Sequence, residues 1–301
     1  MSPRDKILIL GASSYVGRPL FDRLGPQRAA ATYHQRPLDA AVRFDSLSMD
    51  LAEVVKDPSS FSHAVILFAD KNPESCAADP AGSRALNVES VCRVLDRLRQ
   101  WGVTPIFAST EFVFDGSEGR RRETDAIRPV LVYGRQKAEV ERRIQESFGR
   151  HLILRLGKVF GRQRGDGTLF TKWLDAIERG ETIRLATDQI FSPVYIDDVI
   201  EAVVRLIDLD LSGIYHVAGG QTASRPEFLE MLLEELRRRG PFEPKVARCS
   251  LHGLGLNELW PLDVSLDSRK LVAETGLRLT DVRRVCRDLA ADLPEGLTQR
   301  R

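Results

Sequence analysis

Cysteine is scarce and scattered: Cys76, Cys92, Cys249 and Cys286 are the only four in 301 residues, and none forms a CxxC pair. That distribution excludes a disulfide framework and a thiolate zinc site, and it predicts reduced, mostly buried thiols in a cytoplasmic protein. Histidine is equally sparse, five in all and never at metal-ligand spacing, so no metal is expected. No apolar run approaches the ~18 residues a membrane helix needs, and the opening MSPRDK does not have the form of a signal peptide. A net charge of +1 gives no field to attract nucleic acid or an acidic membrane. Two basic clusters remain: GRRRE at 119–123 reads as a solvated loop, and LRRRG at 236–240 as a helix end where cations suit the dipole.

What is present is an ordinary globular mixture, 43% hydrophobic and 29% charged, in a chain long enough for a sizeable core. Its first half alternates short apolar runs with amphipathic stretches, the pattern of βαβ units. The spacing predicts strands at 6–10, 29–33, 64–69, 105–108 and 151–156, with helices at 16–24, 81–101 and 135–148. Strands poor in polar residues imply a parallel sheet covered on both faces. Beyond 156 the rhythm loosens. A glycine-rich GRQRGDGT loop precedes a helix at 169–179; SPVYIDDVIEAVVRLID reads as a strand end, an Asp cap and a helix; GIYHVAG reads as one more core strand. Further helices are predicted at 226–239 and 280–293, with an irregular stretch between them. The fold class is α/β: a Rossmann-type doubly wound parallel sheet with a smaller C-terminal substrate-binding lobe. The nucleotide-binding part would span 1–156 with 188–218 returning to it, and the lobe 157–187 and 219–301.

Directly behind KILIL stands GASSYVG, Gly11 to Gly17. A dinucleotide turn needs a first glycine for the tight bend, a second for close approach of the pyrophosphate, and a third for helix–strand packing. Gly11 and Gly17 fill the first and third roles. Ser14 takes the middle one, and its hydroxyl, like that of Ser13, can donate to a phosphate at a helix N-terminus. The whole turn, Tyr15 and Val16 included, is assigned to the cofactor. The end of the second strand, ATYHQRP, lacks the acid that holds a free ribose and offers Arg36 instead. A guanidinium there suits a 2′-phosphate, which favours NADP, with NAD possible.

The second motif is YGRQK, Tyr133 to Lys137. On a helix, positions i and i+4 share a face, so the ammonium can lie under the phenol, lower its pKa and reach the cofactor ribose. A third piece, FASTEFVFDG, follows a core strand, and Thr110 or Ser109 there can hydrogen-bond a reacting carbonyl oxygen.

These stretches resemble the extended short-chain dehydrogenase/reductase family and, within it, the dTDP-4-dehydrorhamnose reductase group, along nearly the whole chain. STEFVFDG is similar to that group's STDYVFDG, YGRQKAEVE to YGxxKxxxE, RLGKVFG to RxxxVYG, and DQIFSPVY to DQxGxPT. The resemblance implies that Thr110, Tyr133 and Lys137 are catalytic, that Asp45 lies near the adenine, and that Phe68, Ala69 and Asp70 pass the nucleotide. It implies a substrate pocket at Glu111, Phe112, Lys158 and Gln189. Phe112 stands where the group has tyrosine, and Lys158 where it has an aromatic residue. The implied activity is NADPH-dependent reduction of a nucleotide-linked 4-keto-deoxysugar by a cytoplasmic protein, with a homodimer as a further expectation. Two alternatives stay open: an extended-family epimerase, and a non-catalytic NADP-binding regulatory subunit like the β subunit of methionine adenosyltransferase. Dehydration is disfavoured because Glu111 is followed by Phe112 rather than a second carboxylate.

Overall fold

The computed structural model describes residues 5–240 and 243–292. Six strands, β1 (Lys6–Leu10), β2 (Ala29–Tyr33), β3 (Ala41–Arg43), β4 (Phe61–Ile66), β5 (Thr104–Thr110) and β6 (Leu152–Leu156), join the strand Gly213–Val217 in one sheet. Their spatial order is Gly213–Val217, β6, β5, β4, β1, β2, β3, and every pairing is parallel. The chain runs outward from β1 through β2 and β3, then returns to lay β4 on the other side of β1. The reversal opens a crevice at the carboxyl ends of β1 and β4, where such sheets take ligands.

Ile7 to Leu10 of KILIL are apolar without alternation because both sheet faces are covered there, while Lys6 at the strand start is exposed. Ile7 and Ile9 pack under the helices Gly17–Arg28 and Ile196–Asp208, while Leu8 and Leu10 pack under Ser90–Trp101 and Val132–Ser147. Each such side chain, fully buried, contributes about 1.5–3 kcal/mol. A separate apolar cluster lies in the C-terminal part, built on Phe160, Phe170, Trp173, Phe191 and Phe228 with the helices Arg225–Arg237 and Val282–Ala291.

Several boundaries differ from the sequence reading. β4 ends at Ile66, not 69, since its ladder stops opposite Leu10 where β1 turns away. The predicted helix 81–101 is assembled from Pro80–Arg84, a π-type turn Ala85–Glu89, and Ser90–Trp101, which ends at Gly102 with φ 65°. The helix Ile196–Asp208 has Tyr195 at its cap; Asp197 and Asp198 sit in its first turn, and Asp198 accepts from the amide and hydroxyl of Thr280. The stretch after 240 is not wholly irregular, because Val246–Cys249 pairs in parallel with Ile183–Ala186. The last helix ends at Ala291, and position 293 lies outside the described residues. Arg121 of the basic loop is turned inward over Phe114, its side chain only 16% exposed, because the loop bridges to Leu266. Two of the four thiols, Cys76 and Cys286, are fully buried, and Cys92 and Cys249 are partly so.

Candidate functional site

The glycine turn lies in the crevice. Gly11 has φ +92°, and a Cβ on it would meet the Phe68 amide nitrogen at 3.0 Å, so the turn and the loop after β4 touch. At Gly17 a Cβ would stand 2.4 Å from the Gly11 carbonyl oxygen. The Ser14 hydroxyl oxygen accepts from the Gly17 amide at 3.0 Å, which leaves its proton free to donate outward. Ser13 and Val16 are half-buried in the same turn. The Tyr15 phenol is committed to Asp166, to which it donates at 2.8 Å. These features fit a dinucleotide: the backbone is bare where a pyrophosphate must approach, at the start of the helix Gly17–Arg28. Past β2, Arg36 is exposed, and His34 lies 3.7 Å from Asp45, which follows β3. Phe68 packs edge-on against Phe44.

The second half of the site is built at the carboxyl ends of β5 and β6. Alternation along β5 separates two neighbouring hydroxyls. Ser109 donates to Glu141 at 2.5 Å in a buried network with Arg155, so it serves the interior. Thr110 faces the other way, accepts from the Phe112 amide at 3.3 Å, and lies 3.4 Å from a Glu111 carboxylate oxygen. Tyr133, in the first turn of the helix Val132–Ser147, is buried beside them, its ring 6.5 Å from that of Phe112. Gly134 allows this approach, since a Cβ there would fall 2.1 Å from the Phe112 carbonyl oxygen. Lys137 donates to the Ala108 carbonyl at 2.8 Å and lies 5.7 Å from the Tyr133 ring centre.

The electrostatics correct one expectation. The Tyr133 phenol is pushed above its ordinary value, first by burial and then by the Glu111 carboxylate. Lys137 directs its charge to the Ala108 carbonyl and does not reverse this; burial holds its own pKa down at about 8. The phenol therefore stays protonated throughout the neutral range. Burial lifts Glu111 to about 7 and brings Lys158 down to about 8.

Gln189 is held in place by Arg225, which donates to its side-chain oxygen at 2.7 and 2.5 Å. Arg225 gave no sequence signal, because it lies next to a proline at a helix start. Two further supports were also missed. Asn87, on the π-type turn, accepts from the Asp70 amide at 2.8 Å and donates to Gln136 at 2.7 Å, coupling the loop after β4 to the helix that carries Tyr133 and Lys137. Glu258 accepts from the Val132 amide at 3.0 Å, placing a carboxylate at that helix's N-terminus, where it offsets the dipole. Asn between apolar residues was a visible signal; Glu258 sits in a segment without periodicity.

Fold and site together define a Rossmann-type nucleotide-binding protein. More narrowly, the chain belongs to the family described as the RmlD substrate binding domain, whose family model matches residues 5–294. Similar proteins include the dTDP-4-dehydrorhamnose reductases of Aggregatibacter actinomycetemcomitans, 26% identical over 95% of this chain and 98% of the relative, and of Escherichia coli (strain K12), 26% identical over 78% and 79%. Among solved structures, the Bacillus anthracis dTDP-4-dehydrorhamnose reductase in complex with NADP matches with TM-score 0.79 and 19% identity, over 96% of this chain and 100% of that one. MoeE5 in complex with UDP-glucuronic acid and NAD matches with TM-score 0.81 and 22% identity, over 95% and 98%. No helix among the described residues is long and apolar enough to cross a membrane.

Proposed function

We propose that this protein is an NADPH-dependent reductase of a nucleotide-linked keto-sugar, with Thr110, Tyr133 and Lys137 as its catalytic residues. The family and its reductase relatives support the reaction class. The carrying observation is the meeting of Thr110, Glu111 and a buried Tyr133 at the end of β5, one sheet position from the glycine-turn crevice. When bound along Gly11–Gly17, Phe68 and Asp70, the dinucleotide supplies hydride to the carbonyl carbon. The chain supplies the rest. Thr110 donates a hydrogen bond to the carbonyl oxygen. Tyr133 gives its phenolic proton to that oxygen, so the ketone gains one hydride and one proton and becomes an alcohol. Lys137, bonded to the Ala108 carbonyl, ties the helix that carries Tyr133 to the end of β5. Phe112, wedged between Tyr133 and Trp260, walls off water on the sugar side.

The absence of an acid at the end of β2, with Arg36 exposed, supports NADP over NAD. The test is a panel of nucleotide-linked keto-sugars, read as NADPH oxidation with isolation of the alcohol product. Oxidation with at least one of them supports the reading. Turnover without net NADPH consumption would instead indicate epimerisation.

A further inference from the structure

The stretch 255–262 has no regular secondary structure, yet bonds from both parts of the fold hold it in place. Glu74, in the first turn of the helix Pro73–Ala78, grips it twice. One carboxylate oxygen accepts from the Asn257 amide at 2.8 Å, and the other accepts from the indole N–H of Trp260 at 2.8 Å. Between these two, Glu258 accepts from the Val132 amide at the head of the helix that carries Tyr133. On the far side the Pro261 carbonyl accepts from the Gln189 side chain at 3.4 Å, and the Leu262 carbonyl from the Ile190 amide at 2.7 Å. Gly116, at φ +74°, leaves room for Pro261, since a Cβ there would fall 2.4 Å from the proline ring. The strap is thus fixed to the loop region after β4, to the helix of Tyr133 and to the C-terminal part.

Trp260 does not fill the core. It is half-buried, belongs to none of the interior apolar clusters, and among the described residues meets one ring, that of Phe112, at 5.3 Å and 73°. Phe112 in turn meets Tyr133 at 6.5 Å, so the three rings form a continuous row that ends at the phenol. The indole spends its only hydrogen-bonding atom on Glu74, and the rest of its surface is apolar. A tryptophan held by its polar tip on a pinned strap is a rigid apolar plane. Ligand pockets use such surfaces beside a few placed polar groups, at low entropic cost.

We propose that Trp260 is a sugar-binding residue: its indole takes the C–H face of the pyranose whose carbonyl meets Tyr133, and so sets how that ring lies. Pyranoses carry hydroxyls at the rim and C–H bonds on their faces, so an aromatic plane fits them without any charge. The proposal rests on the reductase reading, which puts the sugar beside Tyr133, and deepens it by naming a contact outside the sequence motifs. A nucleobase also offers a flat apolar face, and the experiment separates the two sources.

Calorimetric titrations of the NADP-loaded protein compare dTDP-glucose and UDP-glucose with dTDP and UDP, which lack the sugar. In Trp260→Ala, whichever nucleotide sugar the wild type binds more tightly is expected to weaken at least about fivefold, within what one aromatic contact supplies. The matching diphosphate should change less than about twofold. Trp260→Phe should restore most of the loss, because it keeps an aromatic plane and gives up only the N–H bond to Glu74. Retained NADP binding by each variant verifies folding. Equal weakening of nucleotide sugar and diphosphate overturns the proposal and assigns the indole to the base. A Trp260→Phe protein that behaves like Trp260→Ala also overturns it, since the indole would then only anchor the strap. So does unchanged sugar binding in Trp260→Ala, or a wild type that binds neither nucleotide sugar. None of the four ligands is a ketone, so the result does not depend on turnover. A protein whose sugar affinity follows Trp260 yet oxidises NADPH with no keto-sugar would count against the reductase reading alone.

Discussion

The Tyr15 hydroxyl donates to Oδ2 of Asp166 at 2.8 Å, joining the glycine turn to a loop 151 positions further along the chain. Asp166 is itself fixed, accepting from the Thr168 amide at 2.8 Å and the Thr171 hydroxyl at 2.5 Å. Gly161 leaves room for the phenol, since a Cβ there would lie 2.1 Å from its oxygen. Burial and the carboxylate both raise the Tyr15 pKa, so the bond persists across the neutral range. Tyr15→Phe should weaken NADPH binding several-fold while costing only about 1 kcal/mol of stability. Fluorescence titration beside a denaturation curve checks the split; equal losses in both would make the contact merely structural.

The turn itself makes an ordered prediction. Gly11→Val places a branched side chain at φ +92° against the Phe68 backbone, and Gly17→Ala drives a methyl into the Gly11 carbonyl. Both should abolish detectable dinucleotide binding. Ser14→Gly loses one hydrogen bond to the Gly17 amide, a change of about 0.5–1.5 kcal/mol. Dinucleotide titration of the three variants should rank Ser14→Gly well ahead of the other two.

Beneath the site, Arg155 and Glu141 form an ion pair at 2.8 Å with side chains 3% and 0% exposed. Ser109 donates to the same carboxylate, and His216 touches the guanidinium at 3.3 Å. Arg155→Met leaves a buried carboxylate without its cation and should cost about 3–5 kcal/mol. Adding Glu141→Leu removes that stranded charge, so the double variant should recover part of the loss in urea unfolding.

Lys158 also predicts a pH dependence. Its folded pKa of about 8 lies below its ordinary 10.5, chiefly through burial. The unfolded chain therefore binds the extra proton between these values, and the destabilisation is fully present below pH 8 and fades as pH rises towards 10.5. Glu111 has the opposite sense: with its pKa raised to about 7, its contribution to stability falls as pH rises from 4.5 to 7. Lys158→Met should accordingly be more stable than the wild type at pH 7.5, with the advantage shrinking above pH 8. Unfolding curves across that range check it.

Much of this was legible in the sequence where local chemistry dictates structure. KILIL needs two covered faces, and β1 and β2 fall on the predicted residues without adjustment. The motifs around Thr110 and Tyr133 were visible in the sequence, but β5 runs on to Thr110 rather than ending at 108, and the helix begins at Val132 rather than 135. The choice between Ser109 and Thr110 was not readable, because it depends on which face of β5 meets Glu141. The Tyr133 pKa was misjudged for a related reason: the i+4 spacing places Lys137 correctly but does not show that Ala108 takes its ammonium. Arg225 and Glu258 reach the site from distant segments, and only the assembled fold brings them there.

The account stands on Tyr133 as the proton donor in a hydride transfer. Its most direct test is single-turnover NADPH oxidation by wild type and Tyr133→Phe, with a nucleotide-linked keto-sugar that the wild type reduces. The expected result is a rate lowered about 10²–10⁴-fold in the variant with NADPH binding intact. A Tyr133→Phe protein that reduces the sugar at the wild-type rate would contradict it.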